Sequence, residues 1–163
     1  MLRKVDYVTI ADRAMEIVGS YSGDYETRLS LCRTALEVMQ TEEVDPIQIP
    51  GYRAGRLTLL QELGFAPGQA AMSAIRAAIQ ADPNVTDDTE TFLLQQLDGE
   101  GLDLTNSDVV TLLMAWGDVN LGGLTPGIVQ SVLGLSYQTA YRFPGLKVGH
   151  IYNALEWRLE GKI

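Results

Sequence analysis

Apolar residues recur at helical spacing along most of the chain. The clearest stripe runs from Tyr25 to Met39, where apolar side chains fall at every third or fourth position and so share one helix face. Asp24 precedes it and is a residue type that caps helix N-termini. We therefore expect a helix over residues 24–40. The same pattern predicts helices over residues 9–18, 56–63, 68–81, 87–97, 107–116, 125–133, 136–143 and 148–159.

Residues 41–55 break this pattern. Pro46 and Pro50 exclude a helix interior, and two glycines favour turns. We expect one long loop here, which is either a connector that Ile47 and Ile49 hold down as an extended strip or a contact for a partner. Strand-like alternation is weak throughout the chain. The predicted fold class is therefore all-α, a compact bundle of about seven to nine short helices with one long proline- and glycine-containing loop.

The length of 163 residues fits a single helical domain over residues 1–163. Within it, residues 1–81 hold the N-terminal helices, and residues 82–163 hold an acidic segment followed by the C-terminal helices. The lone cysteine, Cys32, falls on an apolar helix face, so we expect a buried thiol and a reducing compartment.

No targeting or membrane segment is evident in the sequence. The N-terminal residues have no apolar core of a signal peptide, and the most apolar window, residues 109–116, is far shorter than the about 20 residues that span a bilayer. We expect a cytoplasmic protein, or a virion protein if the source is viral, with no membrane partner.

Charge is distributed unevenly along the chain. Nine acids and no bases lie between Arg76 and Arg142, whereas residues 121–163 carry four bases and two acids. The acids are interpreted as a solvated face that caps helices, as a surface that contacts the basic end of a neighbouring copy, or as a surface that faces DNA without binding it. The candidate contact residues are Asp87, Asp88, Glu100, Asp103, Arg158 and Lys162.

The chain has few candidates for catalysis or metal binding. The single histidine, His150, has no serine in a nucleophile-elbow context with which to form a triad. Cys32 and His150 supply too few nitrogen and sulfur ligands for zinc. The acidic run from Asp98 does not match a calcium loop, because Leu102 and Asp103 occupy its fifth and sixth positions. We expect no enzymatic activity, no cofactor and no metal.

Residues 125–143 read TPGIVQSVLGLSYQTAYRF, in which Thr125 and Ser136 are suited to cap two helices and Gly134 to form the turn between them. This stretch resembles the helix-turn-helix superfamily of DNA-binding proteins. It departs from the family at Gln130, where a small residue is usual, and at Pro144, which ends the second helix early. The resemblance implies DNA contacts from the second helix and the bases near it. These residues are Ser136, Tyr137, Gln138, Tyr141, Arg142 and Lys147.

Together these features favour a non-enzymatic structural or adaptor subunit of a larger multimeric assembly, such as a viral head-to-tail connector or neck component. Its partners would be other protein subunits, in a homo-oligomer or a hetero-assembly. Two alternatives stay open: a small helix-turn-helix DNA-binding regulator, and an acidic inhibitor of a host nucleic-acid enzyme. The net charge of −9 disfavours nucleic acid as a partner, because affinity for nucleic acid comes largely from cations that neutralise phosphates.

Overall fold

Eight α-helices and four short β-strands lie within residues 2–163, the part of the chain that the computed structural model describes. The predicted all-α class is confirmed. The helices are α1 (Lys4–Val18), α2 (Tyr25–Met39), α3 (Arg56–Leu63), α4 (Phe65–Ala81), α5 (Asp87–Asp98), α6 (Ser107–Asp118), α7 (Pro126–Gly134) and α8 (Val148–Leu159). The strands are β1 (Glu43–Gln48), β2 (Arg53–Ala54), β3 (Leu102–Asp103) and β4 (Tyr137–Tyr141), and Leu121–Gly123 forms a 3₁₀ turn.

Contacts along the backbone divide the chain into two compact units. Unit 1 contains residues 2–46 and Thr139–Ile163, and unit 2 contains Ile47–Gln138. The chain therefore leaves unit 1 within β1 and returns to it within β4. The subregion boundary expected between residues 81 and 82 lies inside unit 2.

Unit 1 is built from α1, α2 and α8, which pack pairwise. Ala11, Ala35 and Ala154 are fully buried on these helices, and such small side chains allow helix backbones to approach closely. The long side chain of Met39 fills part of the same core. Cys32 is also fully buried there, which confirms the expected buried thiol.

Local capping decides where the first two helices begin. The first, α1, begins at Lys4 rather than near Thr9 as predicted. The carboxylate of Asp6 accepts the backbone N–H of Arg3 at 2.7 Å, and so satisfies a donor that helix geometry leaves without a partner. Asp24 caps α2 as predicted, because its carboxylate accepts a backbone N–H at 2.8 Å.

Unit 2 packs around α4, whose alanine and isoleucine side chains are buried. α3 approaches α4 closely at Gly68, where an added Cβ would lie 2.4 Å from the carbonyl oxygen of Leu59. The indole N–H of buried Trp116, in α6, donates to the carboxylate of Asp82 at 2.8 Å. This bond stabilises the charged carboxylate and is the main reason that the pKa of Asp82 is lowered.

The prediction of one long loop over residues 41–55 is wrong, because the stretch contains β1 and β2. β1 pairs with β4, and β2 pairs antiparallel with β3, so that Arg53 lies opposite Asp103. Pro46 lies within β1, a position that edge strands tolerate because the missing N–H need not join a ladder. Pairing with a strand that is distant in sequence gives hydrogen-bond partners to backbone N–H and C=O groups, and the local sequence pattern does not reveal such pairing.

The predicted helix over residues 136–143 is also wrong, because Tyr137–Tyr141 forms β4. Aromatic and β-branched residues occupy positions 137, 139 and 141, an alternation that favours a strand. Gly134 does not form a left-handed turn. It is the last residue of α7 and is absent from the glycines with positive φ.

Candidate protein-interaction surfaces

The residues implicated by the helix-turn-helix resemblance do not share one helix. Ser136 is fully buried, and its hydroxyl donates to the carbonyl of Leu133 at 2.7 Å. Tyr137, Gln138 and Tyr141 are exposed on β4. A recognition helix is therefore not formed by this stretch, and DNA binding through these residues stays a prediction.

Two of the predicted basic contact residues form ion pairs within unit 1. The guanidinium of Arg158 lies 2.6 Å from Asp12, and the ammonium of Lys162 lies 2.6 Å from Glu160. Exposed pairs of this kind contribute only about 0–1 kcal/mol to stability, but each neutralises the charge of its base. The basic character expected at the C-terminal end is reduced at both positions.

Several acids of unit 2 are engaged in its internal structure. Asp98 forms an ion pair with Arg76, and Asp82 accepts the indole N–H described above. Asp103 accepts the hydroxyl of Thr105 at 2.5 Å and its backbone N–H at 2.9 Å. The hydroxyl bond is the largest cause of the lowered pKa of Asp103. Asp103 therefore stabilises the turn that precedes α6.

Other exposed acids of unit 2 make no such bonds, and those among the predicted contact residues lie in and just after α5. Asp87 and Asp88 are in its first turn, and Glu100 follows its end; within residues 2–163 none of the three has a side-chain partner. Phe92 follows Asp88 by one helical turn, so the two side chains share one helix face. Phe92 is 58% exposed. We name Asp88 and Phe92 the α5 face, which combines an aromatic ring with a free carboxylate.

An open cleft of about 360 Å³ lies in unit 1, where the start of α1 meets the segment that joins β4 to α8. Leu2, Ile10, Phe143 and Leu146 supply apolar walls. The volume falls within the range of about 300–1,000 Å³ that is usual for ligand pockets. We name this feature the unit 1 cleft, and it is large enough to admit an aromatic side chain.

Arg142 supplies positive charge at the cleft. Its guanidinium carbon lies 4.9 Å from the ring centroid of Phe143, and one of its nitrogens lies 3.4 Å from the carboxylate of Glu42. Glu42 makes a shorter ion pair of 2.5 Å with Arg13. The side chain of Arg142 is 45% exposed, so it is able to bind a second carboxylate.

His150 also lines the cleft. Its Nδ1 accepts the backbone N–H of Lys147 at 3.0 Å, so the neutral ring carries its proton on Nε2.

Asp6, which also lines the cleft, already accepts the backbone and side-chain N–H groups of Arg3. The backbone bond is the largest cause of the lowered pKa of Asp6. Lys147 is exposed at the start of α8 and adds a further positive charge nearby.

No protein-family model matches the chain, and no curated protein or solved structure resembles it significantly. In the described part of the chain, no helix is both long enough and apolar enough to cross a bilayer. Residues 2–163 also contain no group of three histidine, cysteine or acidic side chains placed to hold a metal ion. The functional interpretation therefore depends on the α5 face and the unit 1 cleft.

Sequence reasoning identified Asp88 and Arg142 as candidates but missed Phe92 and the apolar walls of the cleft. The four-residue spacing of Asp88 and Phe92 on a predicted helix is a signal that was available. The cleft gave no comparable signal, because Leu2 and Phe143 are far apart in sequence and only the folded chain brings their segments together.

Proposed function

We propose that the chain is a non-enzymatic structural or adaptor subunit of a larger multimeric assembly, and that a viral head-to-tail connector or neck component is its concrete form. The observation that carries the proposal is Phe92, an aromatic side chain left in solvent on a regular helix beside an unpartnered carboxylate. Full burial of a phenylalanine stabilises by about 1.5–3 kcal/mol, and aromatic residues are enriched at protein interfaces.

The charge distribution supports contacts between unlike surfaces. Unit 2 contains ten acids and three bases, whereas unit 1 contains eleven acids and nine bases. Two acidic surfaces repel one another, so copies associate more readily when a unit 2 surface meets a unit 1 surface. Such a contact joins two different patches and leaves one of each free, which extends an assembly into a ring or filament.

Light scattering coupled to size-exclusion chromatography tests self-assembly. At about 0.15 M salt the Debye length is about 8 Å, so the overall repulsion of chains with net charge −9 is screened while close contacts persist. The expected result is a mass that rises with concentration to several times the 17.8 kDa of one chain. A mass that stays at one chain up to millimolar concentration would contradict the proposal.

A further inference from the structure

We infer that the unit 1 cleft of one copy binds the α5 face of a second copy, with Phe92 inserted in the cleft and Asp88 paired with Arg142. The inference rests on the proposed function, because it names the partner and the two surfaces through which that assembly forms. The shape of the cleft, the exposure of the aromatic ring and the charges beside each support this contact.

The unit 1 cleft matches the α5 face in polarity. Its walls include the apolar side chains of Ile10 and Phe143, which suit a phenyl ring. Arg142 also lines the cleft, and its guanidinium supplies donors for the carboxylate that lies one turn before the ring. The carboxylate of Asp6, on the same lining, is already bonded to Arg3. A carboxylate docked against the planar guanidinium of Arg142 accepts two hydrogen bonds at once, which fixes the register of the contact.

The α5 face is the occupant that best fits this charge pattern. Phe65, at the start of α4, is more exposed than Phe92, at 82%. The nearest preceding acid, Glu62, lies in α3 and is separated from Phe65 by Gly64, whose positive φ of 92° interrupts the helical geometry. Asp88 and Phe92 instead lie on one continuous helix at fixed spacing, so the charge and the ring are presented together.

Two variants remove the two halves of the contact separately. Phe92→Ser removes the inserted ring and leaves the cleft intact. Thr9→Trp fills the cleft from an exposed position on α1 and leaves the α5 face intact. Each variant alone should weaken self-association by about 30-fold or more in sedimentation velocity, as expected for an aromatic residue at the centre of an interface. Circular dichroism checks that each variant retains its helices.

A mixture of the two variants gives the decisive result. Because the contact joins two different patches, the intact cleft of Phe92→Ser still accepts the intact α5 face of Thr9→Trp. The equimolar mixture should form a heterodimer of twice the chain mass and nothing larger.

The charge pair is tested by Asp88→Arg and Arg142→Glu. Each substitution alone should weaken association, and the two combined in one chain should restore it. Phe65→Ser, an exposed phenylalanine outside both surfaces, should associate like the wild type.

The outcomes separate this inference from the proposed function. If the wild type assembles but Phe92→Ser and Thr9→Trp assemble equally well, or their mixture stays monomeric, the docking of the α5 face in the cleft is refuted and the proposed function stands. Loss of assembly in Phe65→Ser alone would likewise move the interface elsewhere in unit 2. A wild type that never assembles overturns the proposed function itself.

Discussion

The carboxylate of Glu156 joins three segments of unit 1, and its replacement by glutamine measures what that junction contributes. Glu156 lies on α8, and its side chain is 19% exposed. It accepts the hydroxyl of Tyr21 at 2.7 Å and a guanidinium nitrogen of Arg28, on α2, at 3.1 and 3.3 Å. Tyr21 precedes α2, so these bonds link α8 to α2 and to the connection that follows α1.

The expected loss follows from the charge that glutamine removes. Hydrogen bonds to charged groups contribute about 1.5–3 kcal/mol each, and removing one partner of a buried ion pair costs about 3–5 kcal/mol. The side chain of Arg28 is partly exposed, and a glutamine oxygen still accepts one bond, which lowers the cost. The Nε of Arg28 is buried without a partner and gains no replacement. We therefore expect Glu156→Gln to lower the free energy of unfolding by about 2–4 kcal/mol.

Urea unfolding followed by far-ultraviolet circular dichroism measures the loss. The matched control is Glu160→Gln, because Glu160 lies just past the same helix and pairs with Lys162 at the surface; its cost should stay within about 0.5 kcal/mol. Tyr21→Phe should cost about 1 kcal/mol, and less when Glu156 is already replaced. Equal losses for Glu156→Gln and Glu160→Gln would refute the reasoning.

Further predictions concern packing and pH. Gly68→Ala should destabilise unit 2 by about 1–3 kcal/mol in thermal unfolding, because the new Cβ meets the α3 backbone. Gly134→Ala should instead stabilise by about 0.5 kcal/mol, since its site is helical and open, and a loss there would contradict the helical placement. The pKa of Asp82 is lowered in the folded protein, so this carboxylate contributes stability at pH values above its ordinary pKa of 3.8, and the contribution is lost as pH falls through the folded pKa. Trp116→Phe removes the main cause of the lowered pKa and should make the loss of stability in acid titrations smaller. Burial raises the pKa of Tyr21 above its ordinary value of 10.0, so the contribution of this hydroxyl to stability is complete below pH 10 and declines above it. An alkaline unfolding midpoint that is the same in Tyr21→Phe and in the wild type would count against this.

The helices were predictable where their signals are local. The aspartate cap of α2, the glycine that follows α3 and the stripe of apolar residues on α8 are all contained within the elements they define. The start of α1 was missed because Thr9 also has the character of a cap. The bond from Arg3 to Asp6, which sets the true start, involves residue types that are common on any surface.

The strands were not predictable in the same way. β1 contains Pro46, which argues against a strand, and only pairing with a segment about 90 residues away makes its extended backbone favourable. Before β4, Ser136 has the character of a helix cap, but it is fully buried and bonded to α7. Tertiary pairing therefore overrides local preference at both positions.

The two candidate surfaces differ in the same way, because one depends on a local signal and the other on tertiary contacts. The α5 face lies within one helix, and its acid, Asp88, was identified from the sequence. The unit 1 cleft depends on Leu2 and Ile10 meeting Phe143, a contact that no local pattern encodes. Arg142 was identified for a different reason, as a DNA contact on a helix that does not form, so its place in the cleft comes from the structure alone.

A photo-cross-link placed at the inserted ring shows whether the α5 face enters the unit 1 cleft of a second copy. Benzoylphenylalanine at position 92 keeps an aromatic side chain on the α5 face, and irradiation joins it to whatever it contacts in the assembled protein. Mass spectrometry of the product with twice the chain mass should locate the link among residues 142–150 or on the cleft-lining part of α1. A product linked elsewhere, or no intermolecular product from protein that has assembled, would rule out the insertion of Phe92 in the unit 1 cleft.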